Sequence, residues 1–287
     1  MPDPPPQLIS HVSDTARWVA FYRAMESERP DAHFRDPFAR RLAGDKGEAI
    51  ARGMKKGLKL SWPMVVRTAV MDEIILRTIS EREIDTVLNL AAGLDTRPWR
   101  LRLPPALRWI DVDLPVMLDL KLGELRDERP VCSYEAVRLD LSEVDARRTL
   151  FTRVNASARH TLVMTEGLLI YLTPAMVAEL ARNLHAQPTF TAWLIDLASP
   201  GLVQMLAKTW GRMVAAGNAP FRFAPAEGTR FFEPAGWREV EWRSVFHEGI
   251  RLKRTIPFAK FWRWFGSIGR KRRERMERFS GVALLER

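Results

Sequence analysis

The sequence predicts an α/β fold, a mostly parallel, doubly wound sheet behind a set of N-terminal helices, and three observations predict it. Five strand-length apolar runs, Thr86–Ala91, Arg108–Asp113, Tyr134–Leu139, Thr161–Thr165 and Ala192–Leu197, alternate with helix-length stretches. This is the rhythm of a parallel sheet with right-handed crossovers. The first run ends in a small-residue turn, Ala91-Ala-Gly93, and the second ends about twenty residues later in Asp111-Val-Asp113, the spacing of a nucleotide site. Gly93, Asp113, Asp140 and Glu166 each follow an apolar run, and ligands in open parallel sheets sit beyond the carboxyl ends of the strands.

Taken in order, residues 1–10 form a proline-rich lead, and Val12 to Met25 has an apolar face of Val12, Ala16, Val19 and Phe21 with Asp14 near the positive helix end. Asp36-Pro37 opens a short helix to Leu42, and the glycine-spaced, charged stretch Gly44–Gly57 reads as loop or weak helix. Trp62 to Ser80 is a strong helix, with Val66, Ala69, Val70, Ile74 and Ile75 apolar. After the strands begin, the clearest helix runs from Pro174 to Ala186 behind the N-cap Thr173. Beyond Leu197 the alternation stops: Ser199–Glu227 reads as an inserted cap or lid, Glu239–Val245 as a sixth strand, and Val282–Leu285 as a short apolar run. The division expected is an N-terminal helical cap over 1–80 and a catalytic domain over 81–287, carrying a lid insertion near 199–230 and a basic aromatic insertion near 253–279.

Composition excludes several classes. The 287 residues hold one large α/β domain or two modest ones, with 46% hydrophobic and 28% charged residues, as in globular proteins. No apolar run reaches a membrane span, and residues 1–6 lack the basic start and apolar stretch of a secretory signal. A single cysteine, Cys132, suits a reducing cytosol, so a cytoplasmic location is expected. Of the net charge of +10, nearly all lies in residues 251–287, where twelve Lys or Arg face Glu274, Glu277 and Glu286. The rest is close to neutral, so no body-wide nucleic-acid surface is implied. The segment Lys253–Phe279 interleaves Phe258, Phe261, Trp262, Trp264 and Phe265 with basic residues. It reads as an amphipathic helix packed on the domain, with weak docking on an anionic membrane surface or a partner, or stacking on single-stranded nucleic acid, as alternatives.

The first turn is not a dinucleotide turn. Ala91-Ala-Gly-Leu-Asp95 has one glycine where a pyrophosphate cradle wants three, and an acid where phosphate would be repelled. S-adenosyl-L-methionine, with a sulfonium, an ammonium, two ribose hydroxyls and no phosphate, fits better. Asp113 at the second strand tip suits those hydroxyls, with helix capping before Pro115 as a compatible role. Asp111 is expected on the opposite side from Asp113 and hence as a structural residue, Tyr171 as packing, and Cys132 as an inert thiol.

Six ordered segments resemble the leucine carboxyl methyltransferase family, in particular its bacterial S-adenosylmethionine-dependent O-methyltransferases, some of which tailor polyketides. They are Val12–Ala16, Arg23–Ser27 with Asp36-Pro37, Asn89–Arg97, Asp111–Pro115 with Lys121, Asp140-Leu141, and Thr165–Leu172, spread over residues 12–197. The resemblance implies a Rossmann-like class I methyltransferase fold. It also implies that Arg67 pairs with the ligand carboxylate, that Ala91 and Gly93 line the first turn, and that Asp113 holds the ribose. Asp140 and Leu141 would flank the adenine, and Glu166 would face the ligand's amino end. The family usually carries glycine where this chain has Ala91.

The expected function is methyl transfer to a carboxyl or hydroxyl oxygen of a small molecule, such as a secondary metabolite. A carboxylate acceptor needs no general base, whereas a phenol benefits from one. His11, His33, His160, His185 and His247 sit in no motif that assigns such a role, so no catalytic residue is named and no metal site is expected. The alternatives are a protein C-terminal carboxyl methyltransferase and a non-catalytic S-adenosylmethionine-binding protein. A nucleic-acid methyltransferase is disfavoured, because Thr165-Glu-Gly-Leu168 lacks the Asn/Asp-Pro-Pro-aromatic tetrapeptide that binds an amine.

Overall fold

The structure is a computed structural model that describes residues 13–54, 57–216, 220–255, 274 and 276–287, with side chains 13 and 210–216 left aside. Seven strands form one sheet in the order β3-β2-β1-β4-β5-β7-β6. These are β1 Thr86–Leu90, β2 Arg108–Asp113, β3 Ser133–Arg138, β4 Thr161–Thr165, β5 Phe190–Ala198, β6 Arg238–Ser244 and β7 Ser280–Glu286. The pairs β1–β2, β1–β4, β2–β3 and β4–β5 are parallel, and β7 runs antiparallel between β5 and β6. All five expected inner strands are present, and the two terminal apolar runs are strands of the same sheet. The doubly wound expectation holds, with an antiparallel hairpin-like pair closing one edge.

The central strands are fully buried because helices cover both faces: every residue of β1 and β4 is buried. That double burial explains why their sequences read as continuous apolar runs. One face carries α3 (Trp62–Glu81), whose Val66, Val70 and Ile74 pack in a cluster with Val87, Leu162 and Leu194. The other carries α6 (Val144–Ser157) and α7 (Pro174–His185), whose Phe151, Val177 and Leu184 join Leu88, Val163 and Trp193. Thr173 caps α7 through its hydroxyl, which accepts from Met176 N at 3.3 Å, with proline inside the first turn. The remaining helices are α4 (Arg97–Arg100), α5 (Pro115–Glu124), α8 (Pro200–Ala216) and α9 (Val245–Arg251).

One expectation is narrowed to one of its two alternatives, and one is corrected. The stretch from Gly44 is helical: α2 spans Ala39–Gly53 with a break at Gly44, where φ is 56°. Its charged residues sit outward while Leu42, Ala43, Ile50 and Ala51 pack against α1 (Ser13–Ser27), so tertiary burial overrides the weak local pattern. Asp111 does not oppose Asp113 by alternation, since residues two apart share a strand face. Trp109 Nε1 donates to Asp111 Oδ1 at 2.9 Å, across such a two-residue step. Depth separates the two acids: Asp111 is wholly buried among Lys121, Tyr134 and Asn89, whereas Asp113 lies at the strand tip. Asp111 is structural, as expected, for a different reason. Most of the basic aromatic stretch 253–279 lies outside the described residues, as does the proline-rich lead.

Lys121 Nζ lies 2.5 Å from Asp111 Oδ2 with both side chains fully buried, so removing one charge strands the other. Lys121→Ala is expected to lower unfolding stability by about 3–5 kcal/mol, read from denaturant titration; a loss below about 1 kcal/mol would mean the pair is dispensable to the fold.

Candidate functional site

The carboxyl ends of β1, β2, β4 and β5 open into one cavity of about 460 Å³, a size usual for small-molecule sites. Arg67, Ala91, Gly93, Asp113, Asp140, Leu141 and Glu166, the seven residues singled out from the sequence, all line it.

Its polar floor is a chain of ion pairs. Arg67, on α3, places Nε 2.9 Å from Glu166 Oε1 and Nη1 2.9 Å from Asp196 Oδ2. Arg97 places Nη1 2.8 Å from Glu166 Oε2 and 2.8 Å from Asp95 Oδ2, and Nε 2.6 Å from Asp72 Oδ1. Arg100 completes the row at 2.6 Å from Asp72 Oδ2. Glu166 is thus shared, one oxygen to each of two arginines. The Arg67 and Arg97 guanidiniums, with Glu166 and Asp95, are withdrawn from water, yet the opposed charges outweigh burial: both acids are held below their usual range and both arginines above theirs. Three arginines face four carboxylates, which leaves one negative charge on the chain.

Asp196 also accepts from Gly167 N at 2.7 Å. Gly167 has φ of 67°, and a Cβ there would stand 3.5 Å from Arg67 Nη1, so glycine lets the β4 tip turn beside the guanidinium. Arg67 Nε, although close to Glu166, is buried and aligned with no hydrogen-bond acceptor.

Asp113 is arranged differently. Its Oδ2 accepts from Gly93 N at 2.6 Å and its Oδ1 from Leu114 N at 2.7 Å, so it ties the first turn to the second strand. It does not cap α5, whose N-cap is Leu114. Burial pushes its pKa up against those two bonds. Asp140 is exposed at the cavity edge and accepts from Ser142 N at 2.8 Å. Neither Asp113 nor Asp140 has an ion pair among the described residues. Arg147 Nη1 donates to Leu141 O at 2.8 Å and holds the Asp140–Ser142 loop against α6.

The N-terminal helices close the site from the other side. Arg23 of α1 donates to Leu94 O at 2.6 Å and pairs with Asp36 at 2.9 Å, while Asp36 also accepts from Thr96 Oγ1 at 2.7 Å. The residues expected from the sequence to bind the ligand did not include Asp72, Arg97 and Asp196, and Asp95 was read only as the acid that disfavours a phosphate. Asp196 carries the same signal as Asp113 and Glu166, an acid at the end of an apolar strand, and the strand-tip rule could have found it.

The sequence profile described as Leucine carboxyl methyltransferase matches residues 16–185, more than half the chain. The chain belongs to this family. A protein of Streptomyces avermitilis, provisionally named an S-adenosyl-L-methionine-dependent methyltransferase, is 32% identical over 241 residues, covering 79% of this chain and 81% of its own. A similarly named protein of Streptomyces coelicolor is 34% identical over 211 residues, covering 69% and 73%. Among solved structures, a DUF574 family protein from S. avermitilis superposes with a TM-score of 0.59 at 17% identity over 98% of both chains. A methyltransferase from Thermobifida fusca, again a provisional name, superposes with a TM-score of 0.56 at 16% identity, covering 100% of this chain and 99% of that one. With the strand order above, these likenesses show the Rossmann-like class I methyltransferase fold.

The family's usual glycine at the first turn has a conformational reason here. Ala91 has φ of 55°, a left-handed conformation that costs a non-glycine residue about 1–2 kcal/mol, against about 0.5–1 kcal/mol of extra backbone entropy lost by glycine. Ala91→Gly is therefore expected to raise stability by about 0.5–1 kcal/mol, seen as a higher Tm. A lower Tm would show that the turn gains more from the methyl group than the strain costs.

Proposed function

We propose that this protein is an S-adenosylmethionine-dependent O-methyltransferase acting on a carboxyl or hydroxyl oxygen of a small molecule. The observation that carries the reading is the shared Glu166: an ionised carboxylate, held at the rim of the sheet between two arginines, in a cavity lined by both charged and apolar side chains. A cationic amino-acid moiety complements such a floor. Arg67, a guanidinium lining the cavity, suits the ligand's carboxylate, and Glu166 its ammonium. Asp113 and Asp140 keep carboxylate oxygens for hydroxyl and amine donors. Gly93 and Ala91 bring backbone close to the ligand, and Leu141 offers an apolar contact.

Bound there, S-adenosylmethionine supplies a methyl carbon on a cationic sulfur, so an acceptor lone pair makes the new O–C bond while the C–S pair leaves on sulfur as a neutral thioether. This chain's residues have to align the acceptor and exclude water. No histidine, lysine or cysteine among the described residues lines the cavity. Tyr171 is pushed above its usual pKa by burial, and Glu166 and Asp95 are tied to arginines. An acceptor oxygen already anionic at neutral pH, which needs no base, suits such a lining best.

Calorimetric titration with S-adenosylhomocysteine tests the reading: wild type is expected to bind, and Asp113→Ala to bind at least tenfold more weakly. The pH dependence has a definite sign. The ribose hydroxyls need ionised Asp113, whose pKa in the free protein is raised, so affinity is expected to fall as pH drops toward that pKa and to flatten in Asp113→Asn. Equal affinity in wild type and Asp113→Ala would remove the ribose assignment.

A further inference from the structure

The cavity is divided by chemistry. Its charged residues come from α1, α3, the first turn with α4, the tips of β2, β4 and β5, and the loop into α6 with Arg147 of that helix. Among the described residues, every side chain that reaches it from residues 168–172, α7, α8 and the 220–223 segment is apolar except Tyr171. Leu202 and Leu206 of α8, with Phe221 and Phe223, form the outer part of this wall. The wall is fixed in place: Arg222 N and Phe223 N donate to Ile170 O at 2.7 and 3.2 Å. The rings of Tyr171 and Phe221 stack at 5.9 Å, and Phe223 is packed edge-on against Phe231 at 4.9 Å. The Ile170 carbonyl is therefore already satisfied by the 220–223 segment.

Resting on the donor reading above, we infer that the acceptor is an apolar small molecule with one anionic oxygen, a carboxylate or acidic enol, and that a polypeptide C-terminus is not its substrate. The charged half of the cavity is committed to its own ion pairs and to the donor. What remains for the acceptor's body is a surface dominated by Leu202, Leu206, Phe221 and Phe223, whose side chains remove apolar area from water and offer no hydrogen-bond partner. An aromatic ring or alkyl chain gains from that contact. A peptide would bring an amide N–H and a carbonyl with each residue, and leaving these unpaired in an apolar pocket carries their full desolvation cost. A cavity of about 460 Å³ also has little room for a chain beside a nucleoside-sized ligand. An anionic oxygen held among apolar side chains loses hydration, which leaves its lone pair exposed for attack, and no proton has to be removed.

Isothermal titration of the full chain, saturated with S-adenosylhomocysteine, tests this with three probes: 2-naphthoate, decanoate and N-acetyl-glycyl-glycyl-leucine with a free carboxylate. At least one apolar acid is expected to bind tenfold or more tightly than the peptide. Phe221→Asn and Leu206→Gln, each on the wall and away from the ion pairs, are expected to weaken the apolar acid by about tenfold while S-adenosylhomocysteine affinity stays within twofold. The inference is overturned if the peptide binds as well as the acids, if neither acid binds, or if both variants leave acid binding unchanged. The wild-type comparison stands even if a variant folds poorly. Failure of wild type to bind S-adenosylhomocysteine would instead overturn the donor reading.

Discussion

The site depends on one carboxylate serving two arginines. Glu166 gives one oxygen to Arg67 and the other to Arg97, and through them it connects α3, the first turn, the β4 tip and the β5 tip. A buried ion pair is weak evidence for stability, because desolvation consumes most of the Coulomb gain. Retaining three arginines and four acids beneath an open cavity therefore has to be explained by what the charges present to a ligand. Were Arg97 absent, Arg67 would be the only cation on Glu166, and its guanidinium would be less free for an anion entering the cavity. Sharing keeps both groups ionised and neither fully spent.

The fold was largely legible because its signal is local. Buried parallel strands must be continuous apolar runs, and Thr86–Leu90 and Thr161–Thr165 are buried at every residue. The strand tips followed from the same signal, which brought Gly93, Asp113, Asp140 and Glu166 to one cavity. Arg67 came from resemblance alone, since an arginine within a helix looks like a solvated charge until its partners are known. Asp72 and Arg97 were missed for that reason: one sits in the same helix and the other in a short turn, and their pairing joins residues 25 apart in sequence. Asp196 was visible by the rule already in use. The extent of α2 was hidden by Gly44 and by its charged outer face, and only its packing on α1 reveals it.

The two halves of the cavity have different physical origins. The polar half is built from sheet tips and α3, elements fixed by the core, so its charges can be held within hydrogen-bond distance of one another. The apolar half comes from the connections after β4 and β5, the second of which is where the chain leaves the regular alternation. In doubly wound folds, variation in such connections changes what binds without disturbing the sheet.

The most direct measurement is a crystal structure of the full chain with S-adenosylhomocysteine. The ligand's ribose is expected on Asp113, its amino group at Glu166 and its carboxylate within reach of Arg67, with Glu166 still paired to Arg97. A ligand bound elsewhere, or an arrangement in which Glu166 leaves Arg97 to meet it, would contradict the claim that this shared carboxylate organises the site.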